Sequence, residues 1–105
     1  MAKEAGFTIP VAVTAAVWNE YIVPTEHLRT NYGQSEDGRL WDTLYMLYAR
    51  IKRGKASTSR LRFEVSYMLE TKLRNAVQRI IVFQSVCHPG DAMEPVITIM
   101  LPNED

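Results

Sequence analysis

The sequence is poor in the residues that hold small proteins together covalently or through metals. It contains one cysteine and two histidines among 105 residues. One thiol cannot form an internal disulfide, and these three side chains are fewer than the four ligands of a structural zinc site. Neither a metal nor another cofactor is therefore expected. The fold must depend on a hydrophobic core, and a chain of this length buries roughly two-thirds of its extended surface.

Long apolar runs are also absent. No stretch approaches the ~18 residues of a membrane-spanning helix. The first six residues carry Lys3 and Glu4 in place of the apolar region of a secretory signal. Hydrophobic residues make up 47% of the chain, and 12 basic residues balance 12 acidic ones. This ordinary globular composition predicts one domain over 1–105, located in the cytoplasm, with no membrane partner.

Hydrophobic periodicity places the helices in the first half of the sequence. A short strand is predicted over 7–13, where Pro10 restricts pairing to an edge. Thr14 has the chemistry of a helix N-cap, and Pro24 ends the helix that follows. Residues 25–30 are expected to form one further helical turn, with Thr25 as its cap.

The clearest helix is predicted over 39–53, with Asp37 as its cap and Gly54 as its left-handed terminator. Its apolar residues form one stripe. They are Leu40, Trp41, Leu44, Tyr45, Leu47, Tyr48 and Ile51. The aromatic residues of this stripe are expected to lie in the core.

Alternating or continuous apolar residues predict strands in the second half, over 61–69, 77–87 and 96–101. The run 80–83 is apolar throughout, so both faces of that strand are expected to be covered. The predicted fold is an α+β two-layer domain. Its antiparallel sheet has three to four strands with two helices on one face, in the order β-α-α-β-β-β.

Motifs for catalysis are weak, and no catalytic residue is predicted. Cys87 and His88 are neighbours in a strand, so their side chains point to opposite faces and cannot easily act as nucleophile and base. Neither a GxGxxG nor a GxxxxGK[ST] phosphate loop is present. An enzyme that uses Cys87 or the C-terminal carboxylates of Asp91, Glu94, Glu104 and Asp105 is kept as a third hypothesis.

Charge is unevenly distributed along the chain. Residues 50–79 contain nine basic and two acidic residues, a net charge of +7, against −3 for 1–49 and −4 for 80–105. A basic patch is therefore predicted where the main helix ends and the next strand begins. Its proposed contact residues are Arg50, Lys52, Arg53, Arg60 and Arg62. An acidic protein surface and a nucleic acid are both suitable partners.

The last strand carries no charge. An exposed edge of this kind would pair with another chain, which gives a homodimer or a hetero-complex through 96–101. Placement inside the sheet, beside the N-terminal strand, is the favoured alternative.

Three blocks of the sequence are distinctive together: AKEAGFTIPVAVTAAVW, GRLWDTLYM and VCHPGDAMEPVITIMLPNED. They resemble a family of small uncharacterised proteins found in bacterial phages, plasmids and integrated elements. The resemblance implies cargo of mobile DNA, a setting in which small proteins commonly act by binding. The expected function is a non-enzymatic inhibitor of a host defence complex, similar to an anti-CRISPR protein. The alternative is a small nucleic-acid-binding accessory protein that uses the basic patch.

Overall fold

The computed structural model describes residues 6–7, 9–53, 60–73, 75–89 and 94–104. Its elements, in chain order, are β1 (Val11–Val13), α1 (Ala15–Val17), a π-helical turn (Trp18–Ile22), α2 (Glu26–Tyr32), α3 (Glu36–Arg53), β2 (Arg60–Glu70), β3 (Ala76–Pro89) and β4 (Pro95–Met100). The α+β class and the predicted order of elements are confirmed, with α2 as a further helical segment before α3.

The helix starts follow from short polar side chains. The hydroxyl of Thr14 accepts from the backbone N–H of Val17 at 3.3 Å, and Thr25 caps α2 in the same way through Leu28. The prediction that Asp37 caps α3 is wrong. Ser35 takes that role, because its hydroxyl accepts from the N–H of Gly38 at 3.0 Å. The helix therefore begins at Glu36, earlier than predicted, and the expected terminator Gly54 lies outside the described residues.

The sheet has the strand order β1-β4-β3-β2. Strands β2, β3 and β4 form an antiparallel meander, as predicted. The prediction of an antiparallel sheet is wrong for β1, which pairs in parallel with β4. A parallel pair needs a long connection, and here all the other elements lie between the two strands. The placement of 96–101 inside the sheet is confirmed, since β3 and β1 flank β4, so β4 has no outer edge for a homodimer along 97–99.

The hydrophobic core lies between the helices and one face of the sheet. The sheet contributes Phe63, Val65 and Tyr67 of β2, Phe83 of β3, and Ile97 and Ile99 of β4. The helical layer contributes the buried side chains of Val17, Ile22, Leu44 and Leu47. The expectation that both faces of β3 are covered is wrong. Ile80 is 67% exposed and Val82 is 37% exposed, because their side chains point away from the helices.

Gly6 and Phe7, which precede β1, are held against α3. Phe7 is buried and meets the ring of Tyr48 edge-on, with 5.9 Å between ring centroids. Gly6 has φ of +103°, and a Cβ at this position would lie 2.6 Å from the Tyr48 ring. Only glycine fits here without a shift of the tyrosine, which gives a physical reason for the glycine of the first sequence block.

Candidate functional site

The basic patch forms around a groove between α3 and the outer edge of β2. One cavity of about 330 Å³ is lined by three basic residues together with Met46, Phe63, Glu64 and Val82. The basic residues are Arg50 and Arg53 from the last turns of α3 and Arg62 from β2. Arg50 and Arg53 meet Arg62 because the end of α3 lies beside the start of β2, the next element of the chain. Three of the five predicted contact residues are thus brought together.

Lys52 and Arg60 do not line this cavity. The Lys52 ammonium lies over the ring of Tyr48, 5.6 Å from its centroid. Successive residues of a helix are rotated by about 100°, so Lys52 faces away from its neighbour Arg53. Arg60 is exposed at the first position of β2.

A second cavity of about 330 Å³ continues the groove along β2. It is lined by Trp41, Asp42, Tyr45, Met46, Val65 and Ser66, and Met46 belongs to both cavities. Tyr45 is 56% exposed, so its predicted place in the core is wrong, and Trp41 lies at the rim with 36% exposure. The apolar stripe of α3 is wider than the surface that the sheet covers, and its outer members face this groove.

Arg39 joins α3 to β2 in the interior, beyond Ser66 of the second cavity, a contact that the sequence analysis missed. Its side chain is 3% exposed. The guanidinium donates to the carbonyls of Tyr21 (2.7 Å) and Met68 and to Oε1 of Gln34 (3.2 Å). Burial lowers the pKa of the Arg39 guanidinium. One clue was an arginine within the GRLWD segment, at the start of a helix where cations are disfavoured.

Cys87 and His88 lie elsewhere, in a shallow groove with Pro89 and Pro95. The side chain of His88 contacts the hydroxyl of Thr98 through Nε2 at 2.7 Å and the carbonyl of Pro89 through Nδ1 at 3.0 Å. Cys87 is paired with Ile97, and His88 with Val96, so the two side chains alternate across the sheet. The geometry does not bring the thiol and the imidazole together.

The carboxylate of Glu104 has a structural position. Its Oε1 accepts from the hydroxyl of Thr14 and from the N–H of Leu101, both at 2.9 Å. The backbone carbonyl of Glu104 accepts from the amide of Gln84 at 3.1 Å. Glu94 is exposed, and both Asp91 and Asp105 lie outside the described residues. The acidic residues named in the sequence analysis therefore do not share one site in the described part of the chain.

These features define a class: a two-layer α+β domain with a basic and aromatic groove beside an edge strand. The chain belongs to the family of unknown function DUF6573, which it matches over residues 2–105. This match confirms the membership of an uncharacterised family that the three sequence blocks implied. No curated protein and no solved structure matches the chain. Among the described residues, no helix has the length and apolar character needed to cross a membrane.

Proposed function

We propose that the protein is a non-enzymatic binding protein that recognises an acidic surface of a protein partner through the groove between α3 and β2. The observation that carries this proposal is the convergence of Arg50, Arg53 and Arg62 on one cavity. In the described part of the chain, Glu64 is the one carboxylate that lines it. None of the three arginines forms an ion pair with another described residue. Three clustered cations repel one another and create a positive potential in the groove. An anionic partner relieves this repulsion, so the cluster favours its approach.

The partner we propose is a host defence complex in the bacterial cytoplasm, of the kind that CRISPR effectors represent. This choice is supported by the resemblance of the sequence blocks to cargo of phages and plasmids. A small domain that occupies a functional surface of an effector inhibits it without any chemical step. Inhibition of this kind requires a groove whose charge is opposite to that of the partner's surface, and it does not require a catalytic group.

The test is a plaque assay on bacterial strains that each carry one defined defence system. Expression of the protein is expected to restore plaques against at least one system. The triple variant Arg50→Glu, Arg53→Glu, Arg62→Glu is expected to lose this effect. A charge-matched control, Lys52→Glu, Lys72→Glu, Arg79→Glu, changes exposed bases outside the groove and is expected to retain it. Equal activity of the two triple variants would remove the groove from the proposal.

A nucleic acid is the second candidate partner, and one observation favours it. The exposed rings of Trp41 and Tyr45 lie in the same groove as the arginines. Basic grooves with exposed aromatic rings bind single strands by ion pairing and base stacking. Gel shifts with single-stranded DNA and RNA test this candidate. Binding is expected to weaken steeply with salt and to require Trp41. No retarded band at low salt would contradict it.

A further inference from the structure

We propose that an extended acidic segment of the partner adds as a new strand to the outer edge of β2, beside α3. This inference rests on the proposed function, because it specifies how the basic groove holds a protein partner. Strand addition uses backbone hydrogen bonds for affinity and pockets for alternate side chains for specificity. Both elements are present along the same stretch of β2.

The backbone at the edge of β2 has a definite orientation. The N–H of Thr71 donates to the carbonyl of Asn75 at 2.9 Å, so Thr71 faces β3. Backbone groups alternate in direction along a strand, so the odd-numbered residues of β2 face β3 and the even-numbered ones face outward. The carbonyl of Met68 agrees with this alternation, because it accepts from Arg39 outside the sheet.

Between Arg60 and Met68, the outward residues are Arg62, Glu64 and Ser66. Within the described residues, no group forms a hydrogen bond with their backbone N–H or C=O. At roughly 3.3 Å per residue, the stretch 62–66 is long enough for about five residues of an added strand. Arg39 occupies the Met68 carbonyl and so marks one end of the site.

The side chains beside this edge indicate the chemistry of the added strand. Arg50, Arg53 and Arg62 surround the 62–64 end, while Trp41, Tyr45 and Met46 lie at the 65–66 end. In an added strand, residues i and i+2 point to the same face. A segment with a carboxylate and an aromatic or aliphatic residue two or four positions apart would place the first among the arginines and the second in the apolar cavity.

The probes are the acetylated and amidated peptides TEVEVFT and TFVEVET, which present this pattern in the two chain directions. Binding to the full-length protein is followed by NMR chemical shifts and amide hydrogen exchange. We expect one of the peptides to shift the indole signal of Trp41 and to protect the amides of Glu64 and Ser66. The same peptide with Lys in place of Glu is expected to bind about tenfold more weakly.

A matched pair of variants distinguishes the loss of a backbone hydrogen bond to the added strand from the loss of a side-chain charge. Glu64→Pro removes an outward N–H that takes no part in the β2–β3 ladder, and proline is tolerated at such edge positions. Glu64→Gln removes the same charge and keeps the N–H. We expect Glu64→Pro to abolish peptide binding. Glu64→Gln is expected to bind the acidic peptide at least as tightly as the parent protein, because it keeps the N–H and removes a repelling carboxylate. A peptide N-methylated at the residues that face β2 gives the same test if the proline variant does not fold.

Three results of the peptide experiments would overturn strand addition. They are full affinity for Glu64→Pro or for the N-methylated peptide, binding without protection of Glu64 and Ser66, and no binding of either peptide at low-millimolar concentration. In each case the proposed function is judged separately, by the plaque assay with the arginine variants. Binding of a single-stranded oligonucleotide in place of the peptides would favour the nucleic-acid candidate and likewise overturn this inference.

Discussion

The guanidinium of Arg39 lies over the ring of Tyr67, with its Cζ 5.6 Å from the ring centroid. This contact joins α3 to β2 in the interior of the domain. Tyr67 is 2% exposed, and its hydroxyl forms a hydrogen bond with that of Thr43, one helical turn beyond Arg39. A polar cluster therefore sets how α3 sits on β2, and with it the position of the groove that α3 and β2 form.

Replacement of Arg39 tests this cluster. Arg39→Ala leaves the carbonyls of Tyr21 and Met68 without their charged donor, so the free energy of unfolding is expected to fall by about 2–3 kcal/mol. Urea unfolding followed by circular dichroism measures this change. Arg79→Ala, at an exposed position of β3, is the control and is expected to change stability by less than about 0.5 kcal/mol. Similar losses in the two variants would contradict a structural role for Arg39.

High pH is expected to destabilise the fold through Tyr67. Burial of the phenol raises the pKa of Tyr67 to about 12, above its ordinary value of 10.0. Between these values the unfolded chain releases the phenolic proton while the folded chain retains it. The free energy of unfolding therefore falls as pH rises through this window, by at most about 2–3 kcal/mol, and Tyr67 has no such effect at lower pH.

The measurement for Tyr67 is urea unfolding at a series of alkaline pH values, with tyrosinate absorbance recorded in parallel. Tyr67→Phe removes the titrating group and is expected to show a shallower loss of stability across the window. The variant also lacks the hydrogen bond to Thr43, so its stability at neutral pH is expected to be lower. An identical pH dependence in both proteins would show that Tyr67 ionises without a folding penalty.

Local sequence signals predicted the parts of the fold that depend on neighbouring residues. Threonine caps at Thr14 and Thr25 were recognised because capping involves only the next helical turn. The parallel pairing of β1 with β4 was missed because it depends on the path of the whole chain. At the start of α3, Asp37 and Ser35 are both good caps, and the hydrogen bond to Gly38 selects the earlier one.

The candidate site was predicted in part, for a related reason. Charge counting found Arg50, Arg53 and Arg62, but only the packing of α3 beside β2 shows that these three share a cavity and that Lys52 does not. The position of β2 at the edge of the sheet was not predicted either. Among the described residues, the outward backbone groups of β2 lack a partner strand because β2 lies at the edge of the sheet. The alternation of apolar and polar residues within β2 predicts a strand, but it does not predict where that strand lies in the sheet.

The link between the C-terminal turn and α1 is expected to contribute to stability. Glu104→Ala removes the acceptor for Thr14 and Leu101, and the expected loss is about 1–3 kcal/mol because both hydrogen bonds go to a charged group. Glu104→Gln keeps an acceptor oxygen and should lose less. Glu94→Ala, at an exposed carboxylate, is the control. A double-mutant cycle with Thr14→Ala should give a coupling energy near 1 kcal/mol, and strict additivity would show that the pair does not interact.

The two faces of β3 are expected to differ sharply in their tolerance of substitution. Phe83→Ala opens a cavity among core residues and is expected to cost about 3–5 kcal/mol, since the Phe83 side chain is fully buried. Ile80→Thr alters the opposite, solvent-facing side of the same strand, where a β-branched polar residue fits well, and is expected to change stability by less than about 0.5 kcal/mol. Thermal unfolding of the two variants beside the parent protein measures both effects. A loss of several kcal/mol for Ile80→Thr would mean that another surface, such as a second chain, covers this face in solution.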